Sequence, residues 1–88
     1  MSPELIAEIK LGNDAEEFYK SEIGQYVLAR VDEEIKDGYY NLSRVSPWRH
    51  RRIQSIQNDI KRAESFKSWL ADLIVQGRQA LTQLQIEE

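Results

Sequence analysis

The sequence predicts an all-α protein: a long antiparallel helical hairpin with one or two short N-terminal helices packed against it. Apolar residues recur at intervals of three and four through most of the 88 residues, which is the spacing of one face of a helix. Glycine and proline number only four and two, too few for the tight turns of an all-β fold. Hydrophobic residues make up 41% of the chain, which favours a single folded domain over disorder.

The N-terminal segment predicts short helices over about 3–20. The pair Ser2-Pro3 fits an N-cap and the first helical position, where the missing proline N–H costs nothing. Gly12 fits the left-handed residue that follows a helix C-terminus, so the first helix is expected to span roughly residues 3 to 11. Asn13 then suits the cap of a second short helix, since a glutamate follows it three residues later.

Two long helices are expected over about 22–45 and 47–85. Their apolar seams are Leu28, Val31, Ile35, Gly38, Leu42 and Val45 in the first, and Ile53, Ile56, Ile60, Ala63, Leu70, Ile74, Gly77, Leu81 and Leu84 in the second. The pair Ser46-Pro47 again fits an N-cap and a first helical residue, which predicts a sharp reversal into a hairpin. One continuous helix kinked at the proline is the alternative.

Two glycines lie on these seams. Small residues at such positions let helices approach closely. The alternative for either glycine is a weak point that costs about 1 kcal/mol relative to alanine. For Gly77 the two interpretations are equally well supported.

The far half of the last helix carries a stripe of aromatic and aliphatic residues. The candidate contacts with a partner or a second copy are Phe66, Trp69, Leu70, Leu73 and Leu81. The second long helix is longer than the first, so these residues need a cover from the N-terminal helices, from another chain, or from both. We expect a homo-oligomer, most simply a dimer. For Trp69 itself a structural core stripe is the favoured interpretation, and an interface anchor is the alternative, which the length of the second helix supports.

The stretch "SPWRHRRIQ" at 46–54 concentrates positive charge. Residues 38–58 contain no acid and carry +4, whereas residues 1–37 carry −6 and residues 59–88 carry −1. The candidate contacts with an anion or a nucleic acid are Arg44, Trp48, Arg49, Arg51 and Arg52. Arginines and aromatics at a helix start are typical of phosphate recognition.

A structural role for the same arginines is the competing interpretation, and the sequence favours it. The arginines could pair with Glu33, Glu34 or Asp37 across the hairpin, or with acids of a second subunit. The net charge of the chain is −3, which weakens long-range attraction to a polyanion. A protein partner is therefore expected ahead of nucleic acid.

Enzymatic chemistry finds no support in the sequence. Cysteine is absent and the one histidine, His50, stands between arginines. No Glu-x-x-His pair, glycine-rich phosphate loop or catalytic serine motif occurs. We therefore expect no catalytic residues, no metal site and no cofactor. The chain also has no signal-peptide pattern and no apolar run of about 20 residues, which predicts a cytoplasmic protein that does not contact membranes.

The segments "LIAEIKLGNDAEEFYKSEIGQYVLARVDEE", "SRVSPWR" and "IQNDIKRAESFKSWLADLIVQGRQAL" together resemble small uncharacterised helical proteins of tailed bacteriophages and prophages. The likeness consists of dispersed residues over most of the chain. It implies an accessory protein acting in the host cytoplasm, in virion assembly or DNA handling, and it assigns no role to any individual residue.

Overall fold

The computed structural model describes residues 3–87, in which all regular structure is helical. Helix α1 spans Pro3–Lys20, α2 spans Glu22–Arg44 and α3 spans His50–Glu87. The chain divides into two compact units: unit 1 comprises Met1–Gln25 with Ser68–Glu88, and unit 2 comprises Tyr26–Lys67. The all-α fold class is confirmed. The N-cap expected at Ser2 lies outside the described residues.

Helix α1 is continuous, so the prediction of two short helices that meet at Gly12 is wrong. None of the described glycines has a positive φ, and Gly12 is an ordinary helical residue. A Cβ atom added to Gly12 would lie 2.7 Å from the Cα of Gly77. The two glycines thus mark a point in unit 1 where the backbones of α1 and α3 nearly touch. The interpretation of Gly77 as a site of close helix approach is therefore correct.

A single residue, Ser21, joins α1 to α2. Its Oγ accepts a hydrogen bond from the N–H of Gly24 at 2.9 Å and donates one to the carbonyl oxygen of Phe18 at 2.6 Å. Ser21 is therefore the N-cap of α2. A Cβ atom on Gly24 would overlap the carbonyl group of Phe18, so this tight joint requires glycine at position 24.

Unit 2 is an antiparallel hairpin of α2 and the first half of α3, as predicted. Asp32 of α2 pairs with Lys67 at 2.6 Å, whereas Gly38, further along α2, packs against Ile60, which comes earlier in α3. A Cβ on Gly38 would stand 2.5 Å from Cγ1 of Ile60. The glycine therefore lets the two helices approach closely, as the seam pattern indicated.

The link between α2 and α3 is longer than expected. The N–H of Arg49 donates to the carbonyl of Ser46 at 3.0 Å, which closes a β-turn with Pro47 at its second position. Helix α3 begins after Arg49, whose carbonyl accepts the first helical hydrogen bond, from Ile53. The predicted N-cap at Ser46 and helix start at Pro47 are wrong, because a Ser-Pro pair suits this turn as well as it suits a helix start.

Both units have shallow cores. The buried apolar residues are Leu5, Ala15 and Ala80 in unit 1, and Ile56, Ile60 and Ala63 in unit 2. None of the large side chains within 3–87 is fully buried. In α2 the seam residues of the hairpin are all half-buried, since one neighbouring helix can cover only part of an apolar stripe.

Candidate functional site

Three arginines meet at the end of the hairpin in unit 2. Arg44 comes from the last turn of α2, Arg49 from the link and Arg52 from the first turn of α3. Together they line an open depression of about 220 Å³, here called the arginine pocket. Its other lining residues are Tyr40, Asn41, Val45 and Ile56.

Helical spacing explains why these side chains converge. Arg49, Arg52 and Ile56 follow one another at intervals of three and four residues, so they lie on one stripe at the start of α3. Arg44 and Val45 lie three and four residues after Asn41, which places all three on one side of the chain where α2 ends. The antiparallel turn brings the two stripes together around the buried Ile56. Asn41 was not predicted as a pocket residue. Its position three residues before Arg44, on the same side of α2, is the signal that could have identified it.

The arginine pocket is positively charged and unneutralised. No acidic residue lines it. Among residues 3–87, the acids form ion pairs with Lys20, Arg62, Lys67 and Arg78 only. The guanidinium carbon of Arg44 lies 5.4 Å from the centre of the Tyr40 ring, a cation–π contact that leaves its N–H groups free. Pairing of these arginines with Glu33, Glu34 or Asp37 inside the chain is therefore wrong.

The remaining basic-cluster residues point elsewhere. Arg51 lies one position before Arg52, about 100° around the helix, and lines a different depression with Gln54 and Asn58. Trp48 is 76% exposed and lines neither depression. The structure thus brings together three of the four predicted arginines and separates Arg51 and Trp48 from them.

A larger groove runs between α2 and α3 in unit 2. Its volume is about 570 Å³, and its floor is apolar: Val31, Gly38, Ile56, Ala63 and Phe66. The α2 rim carries Glu34 and Asp37. On the α3 rim Arg52 and Arg62 outnumber the single acid, Asp59, which pairs with Arg62 at 2.8 Å. We call this the hairpin groove, with an acidic rim on α2 and a basic rim on α3.

The predicted interface residues differ in exposure. Phe66 is half-buried on the floor of the hairpin groove. In unit 1, Trp69 is 65% exposed and Leu81 is 44% exposed, whereas Leu70 and Leu73 are half-buried. Trp69 is therefore not part of the core of unit 1, so the prediction of a core stripe is wrong for this side chain.

Two charged contacts alter acid–base equilibria. A hydrogen bond from Arg78 at 2.7 Å, supported by Lys20, lowers the pKa of Glu16 below 4.5. Tyr39 donates a hydrogen bond of 2.7 Å to Glu64, and the carboxylate raises the pKa of the Tyr39 phenol above 10.0. Tyr39 is exposed and Glu16 is half-buried, and each links neighbouring helices inside its own unit.

Residues 3–87 contain neither a metal-ligand cluster nor a membrane-spanning helix. Within residues 3–87, no three histidine, aspartate or glutamate side chains cluster so that they could hold a metal ion. No helix in this range has the combination of length and apolar character needed to cross a membrane. No family model matches the chain, and neither a curated protein nor a solved structure does.

Proposed function

We propose that this chain is a non-enzymatic helical assembly protein whose hairpin groove binds a second copy of itself. The observation that carries the proposal is the open apolar floor of that groove. Phe66 and Val31 are only half-buried there, and fully burying a side chain of this kind contributes about 1.5–3 kcal/mol.

The charges on the two rims favour a second copy as the occupant. One rim is acidic and the other basic, so the α2 rim of one copy complements the α3 rim of the other. Two hairpins joined in this way form four helices around a common core, which is the arrangement that covers a two-helix seam on both sides. The interface is isologous, with each rim used once by each copy.

The resemblance to small phage proteins supports an assembly role in the host cytoplasm. In such a role the protein contributes surfaces rather than chemistry, consistent with a sequence that offers no catalytic motif.

Matched charge reversals test the self-association. One variant carries Glu34→Lys and Asp37→Lys on the acidic rim, and a second carries Arg62→Glu on the basic rim. We expect wild type to sediment as a dimer and each variant to dissociate at least 10-fold more readily, because like charges then face each other. An equimolar mixture of the two variants should recover the dimer.

A control variant, Lys61→Glu, has the same charge change as Arg62→Glu beside the groove and should leave the dimer intact. A monomer at all concentrations contradicts the proposed function itself. If the protein dimerises equally well with the rim substitutions, self-association is retained but the hairpin groove is not the dimer interface.

A further inference from the structure

We infer that the arginine pocket is a phosphate-binding site for the backbone of a single-stranded nucleic acid. The first support is convergence: Arg44, Arg49 and Arg52 come from a helix end, a link and a helix start, yet they line one depression. The planar guanidinium group, with its fork of donors, matches a phosphate oxygen pair better than any other side chain does.

The second support is the absence of a competing acid. The chain contains 15 acidic residues, and other basic side chains in the described range use them: Lys67 with Asp32, and Arg78 with Glu16. The three pocket arginines form no ion pair within residues 3–87. Placing like charges together without a counter-charge is unfavourable, and an anion in the pocket relieves that repulsion.

The start of α3 adds further donors. Arg49 occupies the N-cap position. Its side chain has no oxygen, so it cannot accept hydrogen bonds from the free N–H groups of the first turn of α3. No side chain of residues 3–87 caps these groups. They carry partial positive charge at the same end of the hairpin as the three guanidinium groups, so both features favour an anion there.

An exposed aromatic ring distinguishes a nucleic-acid strand from a simple phosphate ion. Tyr40 lines the pocket and is 59% exposed. Bases that are not paired stack on such rings, whereas bases in a duplex are already stacked. Arg44 lies against the Tyr40 ring, so a phosphate contact and a stacking surface adjoin.

Fluorescence anisotropy of a labelled single-stranded oligonucleotide tests the inference. If the strand engages three or four phosphates, affinity should fall about 20- to 50-fold between 50 and 200 mM salt. Arg44→Gln, Arg49→Gln and Arg52→Gln should each weaken binding about 5- to 10-fold. The matched control is Arg51→Gln, which removes the same charge from the same helix turn outside the pocket and should weaken binding less than 2-fold.

Several results would overturn the inference: no binding at 50 mM salt, equal losses for Arg51→Gln and the pocket variants, or a preference for duplex. If the protein binds inorganic pyrophosphate but not the oligonucleotide, the site is a small-anion pocket and the assignment to nucleic acid is wrong. Helix content by circular dichroism confirms that each variant is folded.

This inference does not depend on the proposed function, but Arg52 lines both the arginine pocket and the hairpin groove. Two variants at other positions therefore separate the proposals. Arg44→Gln lies outside the hairpin groove and should leave sedimentation unchanged. Asp37→Lys lies outside the arginine pocket and should not reduce oligonucleotide affinity.

Discussion

Among single residues, Tyr39 should make the hairpin of unit 2 less stable at alkaline pH. Its neutral phenol donates to Glu64, which raises its pKa in the folded state above 10.0. A raised folded pKa means that the contact stabilises the protein below pH 10 and that this contribution disappears as pH rises through the folded pKa. NMR titration of labelled tyrosine should show the shift, and Glu64→Gln should return the Tyr39 pKa towards 10.0. An unchanged pKa in that variant would exclude Glu64 as the cause.

Ser21 supports the joint between α1 and α2 with both of its side-chain hydrogen bonds. Ser21→Ala leaves the N–H of Gly24 without its cap and should lower the free energy of unfolding by about 1 kcal/mol, measured by urea denaturation. Ser43→Ala is the control, since the Ser43 hydroxyl donates only to the exposed Tyr40 carbonyl. Equal effects of the two substitutions would show that the cap contributes nothing specific.

Between helices, the Gly12–Gly77 contact sets how α1 packs in unit 1. Gly12→Ala should lower the free energy of unfolding by about 1–3 kcal/mol, because the new methyl group meets backbone that cannot rotate away. The exposed neighbour provides the comparison: Asn13→Ala should stabilise slightly, since alanine is the better helix former. If Gly12→Ala also stabilises the protein, the close contact of the two backbones does not exist in solution.

The helices themselves were predictable, whereas two of their ends were not. Periodicity located the antiparallel hairpin correctly because an apolar stripe persists over many turns. The helix ends predicted at Gly12 and at the Ser46-Pro47 pair were wrong because each of these local patterns is compatible with two structures. A glycine ends a helix or permits a close crossing, and the deciding residue, Gly77, is distant in sequence. A Ser-Pro pair starts a helix or forms a β-turn with equal ease.

From the sequence, only the residue types of the candidate site could be predicted, and not which of them lie together. The four arginines near the turn are evident from the sequence, but their grouping depends on the position of the link. The extended link places Arg49 at the N-cap, and the helical register then directs Arg52 into the pocket and Arg51 away from it. Contributions from Tyr40 and Asn41 arise only when α2 packs beside α3.

For the whole molecule, the shallow cores predict a concentration-dependent melting temperature. A dimer gains about 2.7 kcal/mol from a hundredfold increase in protein concentration, enough to raise the melting temperature by several degrees. Phe66→Ala provides a second test, because the half-buried ring of Phe66 lies on the floor of the hairpin groove through which the dimer is proposed to form. The substitution should reduce this dependence without affecting oligonucleotide binding. Identical melting of wild type across the range would indicate a stable monomer.

The sequence separation of the contacts implies an order of folding. Tyr39 and Glu64 are 25 residues apart, whereas Glu16 and Arg78 are 62 apart, which adds about 0.8 kcal/mol to loop closure. Unit 2 should therefore form first, and substitutions at Gly12 should accelerate unfolding rather than slow folding. During synthesis α1 leaves the ribosome before α3. The apolar residues of α1 therefore remain exposed to solvent until the segment of α3 that contains Ala80 has been synthesised.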